Sequence, residues 1–283
     1  MSAPMPAILL YGLTLLLYAV LALHFWRTRW RARKGTEHPM AAWERWAILV
    51  ALAIHSFLLY ETLFATPVLR FGFGQALSAT LWLAVLVYWF ENLFYRLEGM
   101  QPLVLGVAAL CVPLPALFPG LESPAYAHTV EFRMHLALAI IAYSLLTIAA
   151  LHALLMSLIE KRLHGGGLGD ELSGPLASMP PLLTLEVLLF RILAAGFVML
   201  TLTLVTGVAF SETLFGKAFR FNHKTLFAVL SWAIFGLLLA GRHFYGWRGR
   251  RALRLTMAGF IVLMLAYVGS RFVVEVILGR SLA

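Results

Sequence analysis

Eight long stretches of this chain carry no charged residue, and they constrain its fold more than any other feature. They are Ala7–Trp26, Trp46–Tyr60, Phe71–Phe90, Gln101–Leu121, Met134–Ile159, Ile192–Ser211, Thr225–Gly241 and Leu255–Ser270. A helix crossing a bilayer needs about 20 apolar residues, because the hydrocarbon is ~30 Å thick and each residue rises 1.5 Å. The shorter stretches reach that length by continuing past single boundary charges. Backbone amides find no water in hydrocarbon, so each stretch is expected to be helical. The runs are continuous and do not alternate, which excludes a β-barrel. The expected fold is all-α, a polytopic integral membrane helix bundle of about eight transmembrane helices. Residues 1–23 contain no Lys or Arg, so the first stretch reads as helix one and not as a cleaved signal peptide.

Composition excludes the main soluble classes. The chain is 61% hydrophobic and only 12% charged, where a soluble domain is ~25% charged. Its net charge of +9 then reports topology. With eight spans, one side of the membrane collects 14 Lys and Arg and the other 7, with Arg191 left aside near a span boundary. The positive-inside rule puts the richer side in the cytoplasm and both termini in the periplasm. The basic run Arg27–Lys34 lies against anionic headgroups on this reading. Membrane lipid is the expected partner there, and no nucleic acid is expected. Trp26, Trp30, Trp43 and Trp46 fit the aromatic belt at the same boundary. The one cysteine, Cys111, leaves no disulfide framework and no thiolate metal cage.

The whole chain, 1–283, reads as a single transmembrane domain. Its longest polar connection, about 163–181, is rich in Gly, Ser and Pro and is expected to be a cytoplasmic linker. It separates five helices from three.

Ionisable side chains inside spans are costly and are usually functional or partnered. Of the nine histidines, His55, His135, His152 and His223 lie within or at the ends of spans. His55 is ~18 Å beyond Trp43 along its helix, which places it in the outer half. His135 and His223 stand at the outer ends of spans five and seven, so the three could share one depth. His152 is ~25 Å further inward than His135. Neutral imidazoles on different helices suit the axial positions of haem, whereas an interhelical hydrogen bond from each is the plainer alternative. Arg133, Lys224, Arg220 and Arg271 could meet haem propionates, or could pair with Glu131, Glu212, Glu275 and lipid phosphate. Arg271 and Glu275, one turn apart, are expected to pair in part. The group Thr201, Thr203, Thr206 and Gly207 reads as close helix packing. No HExxH, GxSxG, P-loop or dinucleotide fingerprint is present, and no enzymatic activity is expected.

Three segments carry a family resemblance: Pro180–Gly207, Phe221–Arg242 and Gly246–Arg280, joined by His135–Leu155 in the middle of the chain. They resemble the cytochrome c assembly superfamily, the CcsA/CcmC/HemX-like proteins, and look most like its bacterial YpjD branch. The resemblance covers most of the chain after about residue 130, together with the eight-span layout and His55. It implies an inner-membrane protein of cytochrome complex assembly that handles haem b, with a membrane-protein partner in that process. By resemblance, His135 occupies an outer-facing histidine position and His55 the histidine of an early span, both facing haem iron. Haem-presenting members carry a WxWD-like element where this chain has Phe219, Arg220, Phe221 and Asn222. Two further histidine positions correspond to Ala240 and to the region of Leu278. The implied role is therefore positioning haem b without being a full cytochrome c synthase, with His223 as a substitute ligand. A structural or regulatory membrane subunit without haem and a small-molecule permease are the alternatives.

Overall fold

A computed structural model describes residues 5–31, 40–65, 70–97, 99–123, 127, 129–165, 181–215 and 223–277. Most of the expected linker, Arg220 and the Phe219–Asn222 positions lie outside the described residues. The helices are α1 (Met5–Phe25), continued by a π-helical turn over Trp26–Trp30, α2 (Ala42–Leu63), α3 (Phe73–Phe94), α4 (Gln101–Cys111), α5 (Leu114–Leu117), α6 (Val130–Gly165), α7 (Leu182–Phe215), α8 (His223–Tyr245) and α9 (Gly249–Met264). The last helix runs on through a π turn at Leu265–Gly269, the short α10 (Ser270–Phe272) and a second π turn at Val273–Ile277. Among the described residues the only extended pairing is an antiparallel bridge between Arg70 and Glu122, whose side chains meet at 2.8 Å.

Seven of these helices are long and apolar enough to cross a membrane, and the eighth apolar segment is the shorter Gln101–Leu117. That segment breaks between α4 and α5, where Pro113 and Pro115 remove helix donors. It still runs the height of α3. At its start, Trp30 Nε1 donates to Gly99 O at 2.9 Å. At its far end, Gln75 Nε2 donates to Phe118 O at 3.4 Å and the Phe73 and Phe118 rings lie 4.9 Å apart. The described residues thus form a nearly all-helical multi-pass membrane protein, with seven spanning helices and an eighth, shorter apolar segment. The start of α1 and the end of the last helix fall at one end of the bundle. That end, which also holds Phe73, Leu117, Val130 and His223, is the basic-poor end.

Packing divides the bundle four and four. Helices α1 to α4 contact one another, and α6 to α9 contact one another. Polar contacts tie each set. Tyr11 and Thr62 hydroxyls meet at 2.8 Å between α1 and α2, and Trp82 Nε1 donates to Ser56 Oγ at 2.8 Å between α3 and α2. Ser231 Oγ donates to Gly259 O at 2.9 Å between α8 and α9. The seam joining the two sets is α3 against α6, where Ser144 Oγ donates to Thr80 O at 3.0 Å. These two helices are the most enclosed spans, and α8 and α9 the least. The five-plus-three division suggested by the linker is therefore not how the helices associate, because α6 packs along α7 and α9 as well as α3.

Candidate functional site

His55 lies at the middle of the first set and is fully buried. Its Nε2 hydrogen-bonds Ser78 Oγ of α3 at 2.9 Å, and its Nδ1 reaches Tyr18 OH of α1 at 3.4 Å. The Tyr18 ring stands edge-on to the imidazole, centroids 5.8 Å apart. Both ring nitrogens are therefore engaged, one by each neighbouring helix.

His135 lies on the second turn of α6, on the seam with α7, and is half-buried. Its Nδ1 is 3.0 Å from Thr206 Oγ1. The Thr206 hydroxyl also reaches its own helix, at Leu202 O (2.8 Å) and Thr203 O (3.1 Å). With its proton spent there, Thr206 accepts from His135 Nδ1–H, and in the neutral ring Nε2 is then the unprotonated nitrogen. The ring rests on Gly207, where a Cβ would stand 3.3 Å from His135 Cε1. The pair Thr206–Gly207 is a helix-packing feature, as its composition suggested, and it also seats the imidazole. The signal for that second part was a hydroxyl next to a glycine at the basic-poor end of span six, level with a histidine on span five.

The two histidines are not brought together. From the Ser144–Thr80 contact, Ser78 lies two residues toward the basic-poor end and His135 nine. The difference is about 10 Å of helix rise, and the intervening α3–α6 seam separates them laterally. His223 is nearer in depth. Trp232 Nε1 of α8 donates to Thr201 Oγ1 of α7 at 2.9 Å. Counting outward from that contact puts His223 about 6 Å further out than Thr206. His223 is exposed, Lys224 beside it half-buried and Arg133 exposed. His152 is fully buried, with Nδ1 bonded to Ile148 O at 3.0 Å.

Cover is uneven along the second set. No residue is buried over 131–141 of α6, 201–210 of α7 or 223–230 of α8. Immediately inward, Ala142, Leu146, Leu200, Ser231 and Phe235 are buried. The free His135 nitrogen thus lies in the loosely covered part of the bundle, and the saturated His55 in the tight part. Among the described residues no group of three His, Cys, Asp or Glu side chains could hold a bare metal ion. A cofactor that brings its own equatorial ligands needs only one or two imidazoles, and the His135 donor fits it.

No solved structure matches this chain. The inner membrane protein YpjD of Escherichia coli is 33% identical over 63% of this chain and 65% of its own length. The cytochrome c biogenesis protein CcsA of Prochlorococcus marinus is 29% identical over 49% of each chain. A second CcsA, from a Synechococcus species, is 24% identical over 48% of this chain and 50% of its own. The chain thus spans less than two thirds of each of these relatives. The family model for cytochrome c assembly proteins matches residues 43–278, from the first turn of α2 to the end of the last helix. An all-helical multi-pass bundle matched over that length belongs to the cytochrome c assembly protein family.

Proposed function

We propose that this chain sits in the bacterial inner membrane with its basic-poor end toward the periplasm and there positions or handles haem b, without being a full cytochrome c synthase. The observation that carries this reading is the His135 seat. An axial imidazole must be neutral, must offer a free nitrogen, and is normally oriented by a hydrogen bond on its other nitrogen. His135 has the orienting hydrogen bond through Thr206, and the Nδ1–H tautomer of the neutral ring offers Nε2 to the iron. Two relatives named for cytochrome c biogenesis support the same direction. When bound, haem would supply an iron centre with open axial positions.

This chain's own residues do the rest. His135 would ligate the iron, and His223, close to it in depth, is the proposed second ligand. His55 remains the other candidate and would first have to leave Tyr18 and Ser78. Lys224, Arg133 and Arg220, all counted on the basic-poor side of the sequence, are the proposed partners of the propionates. The expected partners are membrane lipid and another membrane protein of cytochrome assembly, and no catalytic step is assigned. A structural or regulatory subunit without haem is the second reading, favoured by the closed hydrogen bonding of His55.

Detergent-purified protein supplied with haem should show a Soret band with sharp reduced α and β bands, the pattern of low-spin bis-histidine iron. Protein that stays colourless with haem in excess would leave the structural-subunit reading in place.

A further inference from the structure

A second charged group of residues lies at the basic-poor end, away from the His135 seam. Arg271 and Glu275 approach to 3.9 Å on the last helix, too far for a hydrogen bond. Among the described residues Arg271 Nε is buried without a hydrogen-bond partner, and the Glu275 carboxylate lies against the Phe73 backbone N–H at the start of α3. The Arg271 guanidinium lies 5.7 Å over the Tyr267 ring. Lys224 of α8 lies within electrostatic reach of both Arg271 and Glu275. Glu275 is pressed against the loops that start α3 and follow α5. A Cβ on Gly72 would stand 2.5 Å from Glu275 Oε2 and 2.9 Å from Gly120 Cα, so only glycine fits there. The carboxylate thus sits at the N-terminal end of α3, where the helix dipole favours negative charge.

Arg271 and, at longer range, Lys224 face one carboxylate here, and that carboxylate lies toward the start of α3. Buried charges are normally paired and fully hydrogen-bonded, and this arrangement leaves a guanidinium donor unused. Apolar side chains flank the group on the exterior: Leu226 of α8, and Phe272, Val276 and Ile277 of the last helix, are all exposed. An amphiphile could lay its body along them with its head on the cations.

We infer that Lys224 and Arg271 form a clamp for one anionic oxygen-bearing head group of an amphiphile, and that Glu275 is the internal counter-ion that holds the clamp until the head group displaces it. The inference deepens the haem reading and rests on it for its preferred source, a porphyrin carboxylate. A lipid phosphate is the other source of the same chemistry. The signs follow directly. Removing either cation weakens binding of the acid. Removing the Glu275 charge removes a competitor and strengthens it.

The test uses the full-length protein in lipid nanodiscs with metal-free protoporphyrin and its dimethyl ester, read by fluorescence. Without iron, no histidine–metal bond contributes to these affinities. Wild type should prefer the free acid. Lys224→Gln and Arg271→Gln should each weaken acid binding roughly tenfold, the loss of about one charge-assisted hydrogen bond. Glu275→Gln should tighten it, and none should move the ester. Arg271→Lys keeps the charge and should keep the preference. If Arg271→Gln fails to assemble, Lys224→Gln decides the matter. In parallel, nanodiscs containing phosphatidylglycerol are compared with purely zwitterionic ones, and co-purifying lipid is measured by mass spectrometry. Phosphatidylglycerol retained by wild type and lost in both Gln variants, without an acid preference, assigns the clamp to lipid phosphate. Acid preference and lipid retention both indifferent to Lys224 and Arg271 would overturn the clamp. A missing haem spectrum beside an intact acid preference would count against the haem reading alone.

Discussion

His55 and His135 both sit inside spans and both hydrogen-bond across a helix interface, yet they end with different free valence. The α1–α2–α3 seam surrounds His55 with Tyr18 and Ser78, so each nitrogen has a neighbour and the ring is fully enclosed. The α6–α7 seam gives His135 one partner, Thr206, and leaves the other nitrogen facing a region where nothing is buried. A polar residue in a bilayer thus has two stable ends. It can be closed by its neighbours, in which case it specifies packing, or it can be anchored on one side and left open on the other, in which case it can bind.

The most severe test exchanges the two histidines in turn. His135→Ala should abolish the low-spin haem spectrum and leave the fold intact. His55→Ala should keep the spectrum and lower stability by about 2–4 kcal/mol, since it opens a cavity and strands two hydroxyls. Thermal unfolding in detergent beside the optical spectrum separates the two. The reverse pattern, with His55→Ala losing haem and His135→Ala keeping it, would invert the comparison.

A subtler change leaves His135 in place. Thr206→Val is nearly isosteric but removes the acceptor for Nδ1–H. Orienting partners of metal-bound histidines contribute about 10–100-fold in affinity, and a haem titration should show a loss in that range. Equal affinity would mean that Thr206 only packs.

Two glycines on α7 sharpen the contrast further. A Cβ at Gly207 meets His135 Cε1 at 3.3 Å, whereas one at Gly196 meets Leu146 Cδ2 at 2.8 Å. Gly207→Ala should weaken haem several-fold with little change in melting. Gly196→Ala should leave haem unchanged and cost about 1–3 kcal/mol of stability. The smallest effect is expected from Arg133→Gln, an exposed charge worth at most a few tenths of a kcal/mol. Haem binding wholly unchanged in that variant would leave Arg133 as an ordinary boundary charge.

The eight apolar helical segments, seven of them of spanning length, were legible because each stretch commits its backbone to helix in hydrocarbon, whatever surrounds it. Even the broken fourth segment was readable, since Pro113 and Pro115 interrupt the ladder without changing where the chain must go. Association of the helices was not legible. The polar linker suggested five and three, but α6 presents different faces to α3, α7 and α9, and connection length says nothing about faces. Depth can be counted from a helix end, and His55 falls in the basic-poor half as counted, but about 10 Å of helix rise from His135 rather than level with it. Its direction around the helix cannot be counted. Thr206 lies 71 residues from His135, and only the packing of α6 on α7 makes them neighbours. The Arg271–Glu275 pair was readable from its one-turn spacing, but its seat against Gly72 and Gly120 joins segments far apart in the chain.

The π turns of the last helix, Leu265–Gly269 and Val273–Ile277, stand on either side of Arg271. Each holds one residue more than an α turn, so whatever follows is rotated by about 100° relative to an unbroken helix. The angular phase of Glu275 toward Gly72 is therefore set by residue count as well as residue identity. Deleting a single residue within Leu265–Gly269 would restore α-helical phase and swing both charges more than a quarter-turn around the helix, with every charged side chain still present in the sequence.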